Sequence, residues 1–367
     1  MDIRISRSEL QKALHLTQGI ADRRAPMPIL GNVLLRTEGR QKLLCAATDL
    51  NISTMTELTA TVRKEGAVTL SAKHIYEIVK GLPGEEIHLT RSETQRVEIR
   101  AGKVEFRLLG LPDRDFPRLP DHREVKLSAV EASDLTDMIG KTVFAASSDE
   151  TRPHLCAVLF EVAKGRARMV ATDGHRLAKI EREWKSQVSI TPPILVPRRG
   201  IVEIQRHLEG ITGSVELGVH QAHLFVRTDG AVLSVKLADA AFPPYEQVVP
   251  SGNDKVAILP RLALLEALRR VSLVASDRTW GVKFELAPAQ LRLASDNPDL
   301  GDASETVDAE YSGAALTIGF NARYLIDLLS AMSVEKVRAE LAGELDAALL
   351  RPNSNEDYVG VVMPMRI

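Results

Sequence analysis

Val170-Ala171-Thr172-Asp173-Gly174-His175-Arg176-Leu177 has a shorter counterpart on either side of it in the chain. The earlier one is Ala47-Thr48-Asp49 and the later one Ala294-Ser295-Asp296, so the aspartates fall 124 and 123 residues apart, counting from 49 to 173 and from 173 to 296. Spacing this even across 367 residues marks one structural unit used three times. A second pair agrees: Phe242-Pro243 follows Phe116-Pro117 at 126 positions' distance. The length suits two or three domains, and the repeat selects three, expected at 1–122, 123–252 and 253–367.

Around that repeat the chain shows strands and helices in a fixed order. The first repeat opens with a short strand, Asp2 to Ser6, and then a helix from Ser8 whose face is Leu10, Ala13 and Leu14. Strands are expected over Ile29 to Leu35, Leu43 to Thr48 and Ile52 to Leu58, and a second helix from Ser71 is stopped by Gly81-Leu82-Pro83. A hairpin about Gly102 and a linker from Pro112 to Pro120 close the repeat. The second repeat predicts a helix from Ser133 to about Ala146, strands near Leu155 to Val162 and Ala167 to Thr172, and a helix after Pro197 with Arg206 and His207 off its apolar face. Its hairpin turns at Asp229-Gly230, a pair suited to type I′ geometry. In the third, helices open at Pro260 and Phe320, the first running through Leu273, and the chain ends in a strand from Val361. The class is α+β, three similar domains each of two helices packed on antiparallel sheets.

Composition narrows the function. At 44% hydrophobic and 26% charged, the chain is a globular protein, neither disordered nor fibrous. No apolar run approaches a membrane span, and Met1-Asp2-Ile3-Arg4-Ile5 lacks the apolar region of a signal peptide, so a cytoplasmic location without membrane contact is expected. Cys45 and Cys156 lack metal or disulfide spacing and read as buried free thiols. Aromatic content of 4% argues against a single-strand platform where bases stack on rows of rings.

Net charge is only −2, so placement of charge matters more than its total. The helices carry Lys12, Lys73, Lys80, Lys141, Arg198, Arg199, Arg206, Arg269, Arg270 and Arg323 among their polar residues. In isolation these are ordinary solvated faces. Three equivalent repeats instead add them into one lining, which contacts phosphates without reading bases and therefore slides.

These residues resemble the bacterial sliding clamp family, the beta subunit of the replicative DNA polymerase III, along the whole chain. The resemblance is carried by Pro28-Ile29-Leu30-Gly31-Asn32, Asp115-Phe116-Pro117, Ala171 through Leu177, Val196-Pro197-Arg198-Arg199-Gly200, Tyr311-Ser312-Gly313, Gly319-Phe320-Asn321 and Val362-Met363-Pro364-Met365-Arg366. It implies the DNA clamp fold, a ring-shaped head-to-tail homodimer around double-stranded DNA, and no catalytic residue, metal or cofactor. The implied partners are the polymerase alpha subunit, the clamp loader, and other polymerases and repair proteins bearing clamp-binding peptides. Ring closure is expected to join Arg96, Lys103, Phe106, Arg107 and Leu108 of one copy to Leu273, Val274, Asp299, Asp302 and Glu305 of the other.

By the same resemblance, the partner-peptide pocket maps to Leu155, Thr172, Gly174, His175, Arg176, Leu177, Pro243, Val248, Asn321, Tyr324, Val361, Val362, Met363, Pro364, Met365 and Arg366. Methionines suit an adaptable apolar floor, and Arg176 and Arg366 are expected to bond peptide carbonyls or a carboxylate. Arg24 and Arg152 join Lys73, Lys80, Lys141, Arg198, Arg199, Arg206, Arg269 and Arg270 as DNA candidates. The chain departs from the family at Pro153-His154, where an aromatic pair is usual, and at Gln247, often basic. An enzyme built on Asp173 and His175, with Ser147, is the competing reading. The aspartate recurs without the histidine, however, which favours a turn residue. A scaffold that binds proteins but never encircles DNA is the third.

Overall fold

The computed structural model describes residues 1–21, 27–92, 96–354 and 357–366. Its contacts divide it into two compact units. The first comprises Met1–Ser133, Ser186–Val188 and Val202–Leu237; the second comprises Asp134–Lys185, Ser189–Ile201 and Ala238–Ile367. The second repeat is thus shared between them. Six α-helices are described: α1 Arg7–Thr17, α2 Ala72–Gly81, α3 Ala132–Gly140, α4 Arg198–His207, α5 Arg261–Val271 and α6 Ala322–Ser330.

The first unit is organised on a twelve-stranded sheet in which every described pairing is antiparallel. Strand Ile52–Lys64 is its spine, with alternating burial over most of its length. It pairs with Asp2–Ser6 of its own repeat and, through Ile52↔Val235, with Ala231–Lys236 of the next. Leu10 and Leu14 of α1 and Ile75 and Val79 of α2 are fully buried against Ile3, Leu35, Leu43 and Val68. Helical and strand periodicities therefore converge on one core. Val104–Leu109 is an edge strand, with five of its six residues exposed.

The second unit holds an eight-stranded and a four-stranded antiparallel sheet. Strand Arg176–Glu183 of the second repeat pairs with Tyr358–Val362 of the third, through Arg176↔Val362. The four-stranded sheet has Gly301–Asp308 at its edge, beside Gln290–Asn297. α5 and α6 pack together and bury Leu264, Leu268, Leu325 and Leu329.

Several local expectations are corrected. Pro28–Gly31 is a 3₁₀ turn, so the strand begins only at Asn32; proline at the first position favours that turn. α3 stops at Gly140, and Val143–Ala145 is a separate 3₁₀ turn. α5 ends at Val271, with Leu273 in a further 3₁₀ turn. At Asp229-Gly230 only the glycine has positive φ (+77°), so the turn is not type I′; Lys164 and Gly165, at +54° and +74°, have the two positive values that type requires. Strands Ala67–Ser71 and Glu86–Arg91 escaped the sequence reading. The 112–120 segment is not a free linker, because Phe116 is buried with Leu34 and Leu44. Cys45 is buried, which pushes its thiol up to about 12, whereas Cys156 is only half-buried. His207 is buried, not on a polar face.

Candidate partner-binding site

The Asp173 turn is built by its own side chains. Asp173 Oδ1 accepts from the backbone N–H of His175 (2.9 Å) and Arg176 (3.0 Å), while Thr172 Oγ1 accepts from Gly174 N–H (3.1 Å) and donates to Arg176 O (2.6 Å). Asp49 and Thr48 form the same four bonds with Asn51, Ile52 and Leu50. The repeat therefore reports a shared turn, and the acid–base reading of Asp173 has no geometric support. The third copy departs: Asp296 lies within a strand opposite Asp302, and Asn297 Oδ1 caps the turn by accepting from Asp299 N–H.

This turn meets the end of the chain. His175 O accepts from Met363 N–H (2.9 Å), and Gly319 O accepts from Met365 N–H (2.8 Å). The terminal segment is thereby held between Thr172–Leu177 and the start of α6, whose Asn321 caps it by accepting from Arg323 N–H. His175 and Tyr324 stack with ring centres 6.4 Å apart. Val170, Leu177, Tyr245 and Val361 form a buried apolar cluster, with Phe242 and Val249 packed alongside. Met363, 44% exposed, and Val248 offer the accessible apolar surface. Leu155, Thr172 and Val362 are buried supports, while Gly174, Pro243, Pro364, Met365 and Arg366 are exposed or half-buried around them.

Arg176 differs from expectation. Its guanidinium donates from Nε to Asp173 (3.1 Å), from Nη1 to Asp327 (2.6 Å) and from Nη2 to Phe144 O (2.6 Å), and it lies over the Phe144 and Tyr324 rings. At 12% side-chain exposure, with three of its five N–H groups bonded within the chain, it clamps the site together. Asp327 and Phe144 were missed. A signal for Asp327 existed, since it lies three residues after Tyr324 on α6 and shares its face. Burial, then the nearby Asp173 carboxylate, raises the Tyr324 phenol's pKa above its ordinary value.

The DNA candidates separate into groups. Lys73, Lys80 and Arg199 are exposed and Arg198 is half-buried. Arg269 pairs with Glu266 (2.7 Å) and Arg152 with Asp149 (3.0 Å), both at the surface. Arg206 donates to His15 O at the end of α1 (2.8 Å), a tie between helices. Lys141 lies past the end of α3, only 5% exposed, 3.3 Å from Asp137 and over the Tyr358 ring. It is not on a solvated face, because the Tyr358 ring, distant in sequence, covers it. Arg24 lies outside the described residues.

Among the ring-closure candidates, Arg96, Lys103, Phe106 and Arg107 are exposed on the Arg96–Leu109 hairpin, and Leu108 packs partly on its core. Leu273 is 78% exposed and Val274 half-buried, while Asp299 and Asp302 are exposed around the end of strand Gly301–Asp308. Glu305 on that strand accepts two bonds from Arg270 (2.9 and 2.6 Å), so a DNA candidate and an interface candidate neutralise each other. That bond holds the Glu305 carboxyl below its usual range.

Three models of one family match in succession: DNA polymerase III beta subunit, N-terminal domain over residues 1–120, central domain over 129–244 and C-terminal domain over 246–366. The beta sliding clamp of Pseudomonas putida is 36% identical over all of both chains. The crystal structure of the Pseudomonas aeruginosa DNA polymerase III subunit beta is 35% identical, with a TM-score of 0.93 over both full chains. That of the Caulobacter crescentus sliding clamp is 34% identical, also at 0.93 over both full chains. Fold and site define a non-catalytic DNA clamp, a processivity factor of replication. The chain belongs to the DNA polymerase III beta subunit family, the bacterial sliding clamps.

Proposed function

We propose that two copies of this chain close head to tail around duplex DNA in the cytoplasm, and that the terminal-strand site tethers the polymerase alpha subunit and competing partners to it. The observation that carries this is the pair of open edges. Val104–Leu109, beside Lys103, leaves one side unpaired, and Gly301–Asp308, carrying Asp302 and Asp308, leaves another. An exposed edge invites pairing with another chain, and opposite charge sets which edge meets which. A heterologous contact that closes after two copies yields a ring. The division into domains 1–122, 123–252 and 253–367 belongs to this reading and is supported by the succession of three family models.

Lys73, Lys80, Arg198, Arg199 and Arg269 are the proposed phosphate contacts, a set from which Lys141 is removed by its burial. Met363, Val248, His175 and Tyr324 are the proposed peptide contacts, with Arg176 holding their frame. The test is topological. Loaded onto nicked circular duplex, the protein stays bound through gel filtration, and linearising the DNA releases it; equal retention on linear and circular DNA rejects encirclement.

A further inference from the structure

The turn at Thr48–Ile52 is a copy of the turn at Thr172–Arg176 in its hydrogen bonds, and the likeness extends to the strand beside it. Met363 N–H donates to His175 O, and Lys236 N–H donates to Asn51 O (2.7 Å). The same frame thus places Lys236 where the terminal-strand site has Met363, and Leu50 where it has Gly174. A groove of about 300 Å³ opens at this second frame, within the first compact unit. Arg118, His220, His223 and Lys236 line it, opposed by one acid, Asp121. His220 and His223 face each other across the closing pair of a hairpin. Burial first, and the Lys236 charge second, keep the His223 imidazole's pKa below its usual value, so the positive charge of the groove rests on Arg118 and Lys236.

Leu50 adds a second, independent observation. It stands at φ +78°, a left-handed conformation costly for a branched side chain, and is 53% exposed at the groove. Gly174 takes the corresponding conformation at +94° without that cost. The fold alone is served better by glycine; an exposed leucine at the mouth of a cationic groove is an apolar contact offered to a ligand.

We propose that this groove binds an acidic, leucine-bearing extended peptide segment, as a second docking site beside the one at the terminal strand. The choice of a peptide over other anions rests on reading the terminal-strand site as a peptide pocket, whose frame this groove shares. Carboxylates of the segment meet the charges of Arg118 and Lys236 and accept hydrogen bonds from the paired histidines, and an apolar side chain packs on Leu50.

The probe is a fluorescein-labelled heptapeptide of alternating aspartate and leucine, titrated by fluorescence anisotropy against the intact protein. Saturable binding is expected, weakened by at least about tenfold in the Arg118→Glu, Lys236→Glu double variant. Leu50→Gly weakens it several-fold while the melting temperature holds or rises, which separates a binding role from a structural one. Deleting residues 363–367 leaves it unchanged, so failure of the terminal-strand reading and failure of this one are told apart. Equal binding by the double variant, or loss on that deletion, overturns the proposal. Tighter binding of an oligothymidylate that is lost in the same double variant assigns the groove to nucleic acid and overturns it equally.

Discussion

Arg176 Nη1 donates to Asp327 Oδ2 at 2.6 Å and so joins residues 151 positions apart, one at the start of a second-repeat strand and one on a third-repeat helix. The arginine is nearly buried and the aspartate is 43% exposed, so water screens part of the pair. Asp327→Ala is expected to cost roughly 1–2 kcal/mol, mostly by leaving a guanidinium donor without its acceptor. Urea unfolding measures the loss. Hydrogen exchange at the Met363 amide should quicken beyond that of strand Tyr358–Val362, because the clamp secures the turn to which Met363 is bonded; an unchanged rate at Met363 sinks that role for the clamp.

The tail beyond Val362 touches the site through the amides of Met363 and Met365. Deleting residues 363–367 removes the exposed methionine floor but leaves strand Tyr358–Val362 and its pairing with Arg176–Glu183 in place. Capture of the polymerase alpha subunit in a pull-down is expected to vanish while sedimentation still reports a dimer. Undiminished capture places the peptide site elsewhere.

Among the described residues Leu273 is the most exposed of the large apolar side chains, in a 3₁₀ turn packed beside the edge strand Gly301–Asp308. Burying a leucine in an interface is worth about 1.5–3 kcal/mol, and a carboxylate in its place adds a desolvation cost. Leu273→Asp should therefore yield monomers in analytical ultracentrifugation with the melting temperature little changed. A dimer that survives it moves ring closure away from this edge.

His207 reports on pH. Burial lowers its pKa to about 4 against 6.5 for an exposed imidazole. A base whose pKa falls on folding binds its proton better unfolded, so its neutral form leaves stability intact above about pH 6.5 and protonation erodes it down to about pH 4. The loss across that window is on the order of 3 kcal/mol, at 1.36 kcal/mol per unit. His207→Asn should flatten the fall in urea midpoint over the window relative to the native chain, whatever it does to stability at pH 7.5. An identical slope in the two proteins means that other groups set the acid sensitivity.

Signals that repeat within a few residues were legible in the chain. The 3.6-residue apolar spacing of Leu10 and Leu14, of Ile75 and Val79, and of Leu325 and Leu329 located the helices and their buried faces. The recurring Thr-Asp located two turns with the same hydrogen bonds, although in the third copy Asn297 took over the capping. Errors fell at element ends and turns, such as the end of α3 and the Asp229-Gly230 turn, and where a neighbour distant in sequence decides. Neither Lys141 nor His207 betrays in its local pattern that it is enclosed, the former against Tyr358 and the latter against Thr228 and Ala231.

By itself the sequence determined that one α+β module is used three times, where α1, α2 and α6 turn their apolar faces, and which segments are able to form a site, because periodicity and turn chemistry are local. Tertiary structure decided that Ile52–Lys64 and Arg176–Glu183 each take a partner from the following repeat, that Arg176 bonds Asp173, Asp327 and Phe144, and that Lys236 occupies the frame position of Met363. Strand pairing and ion pairing are contacts between surfaces brought together only on folding, and no window of sequence contains both of the groups whose contact fixes them.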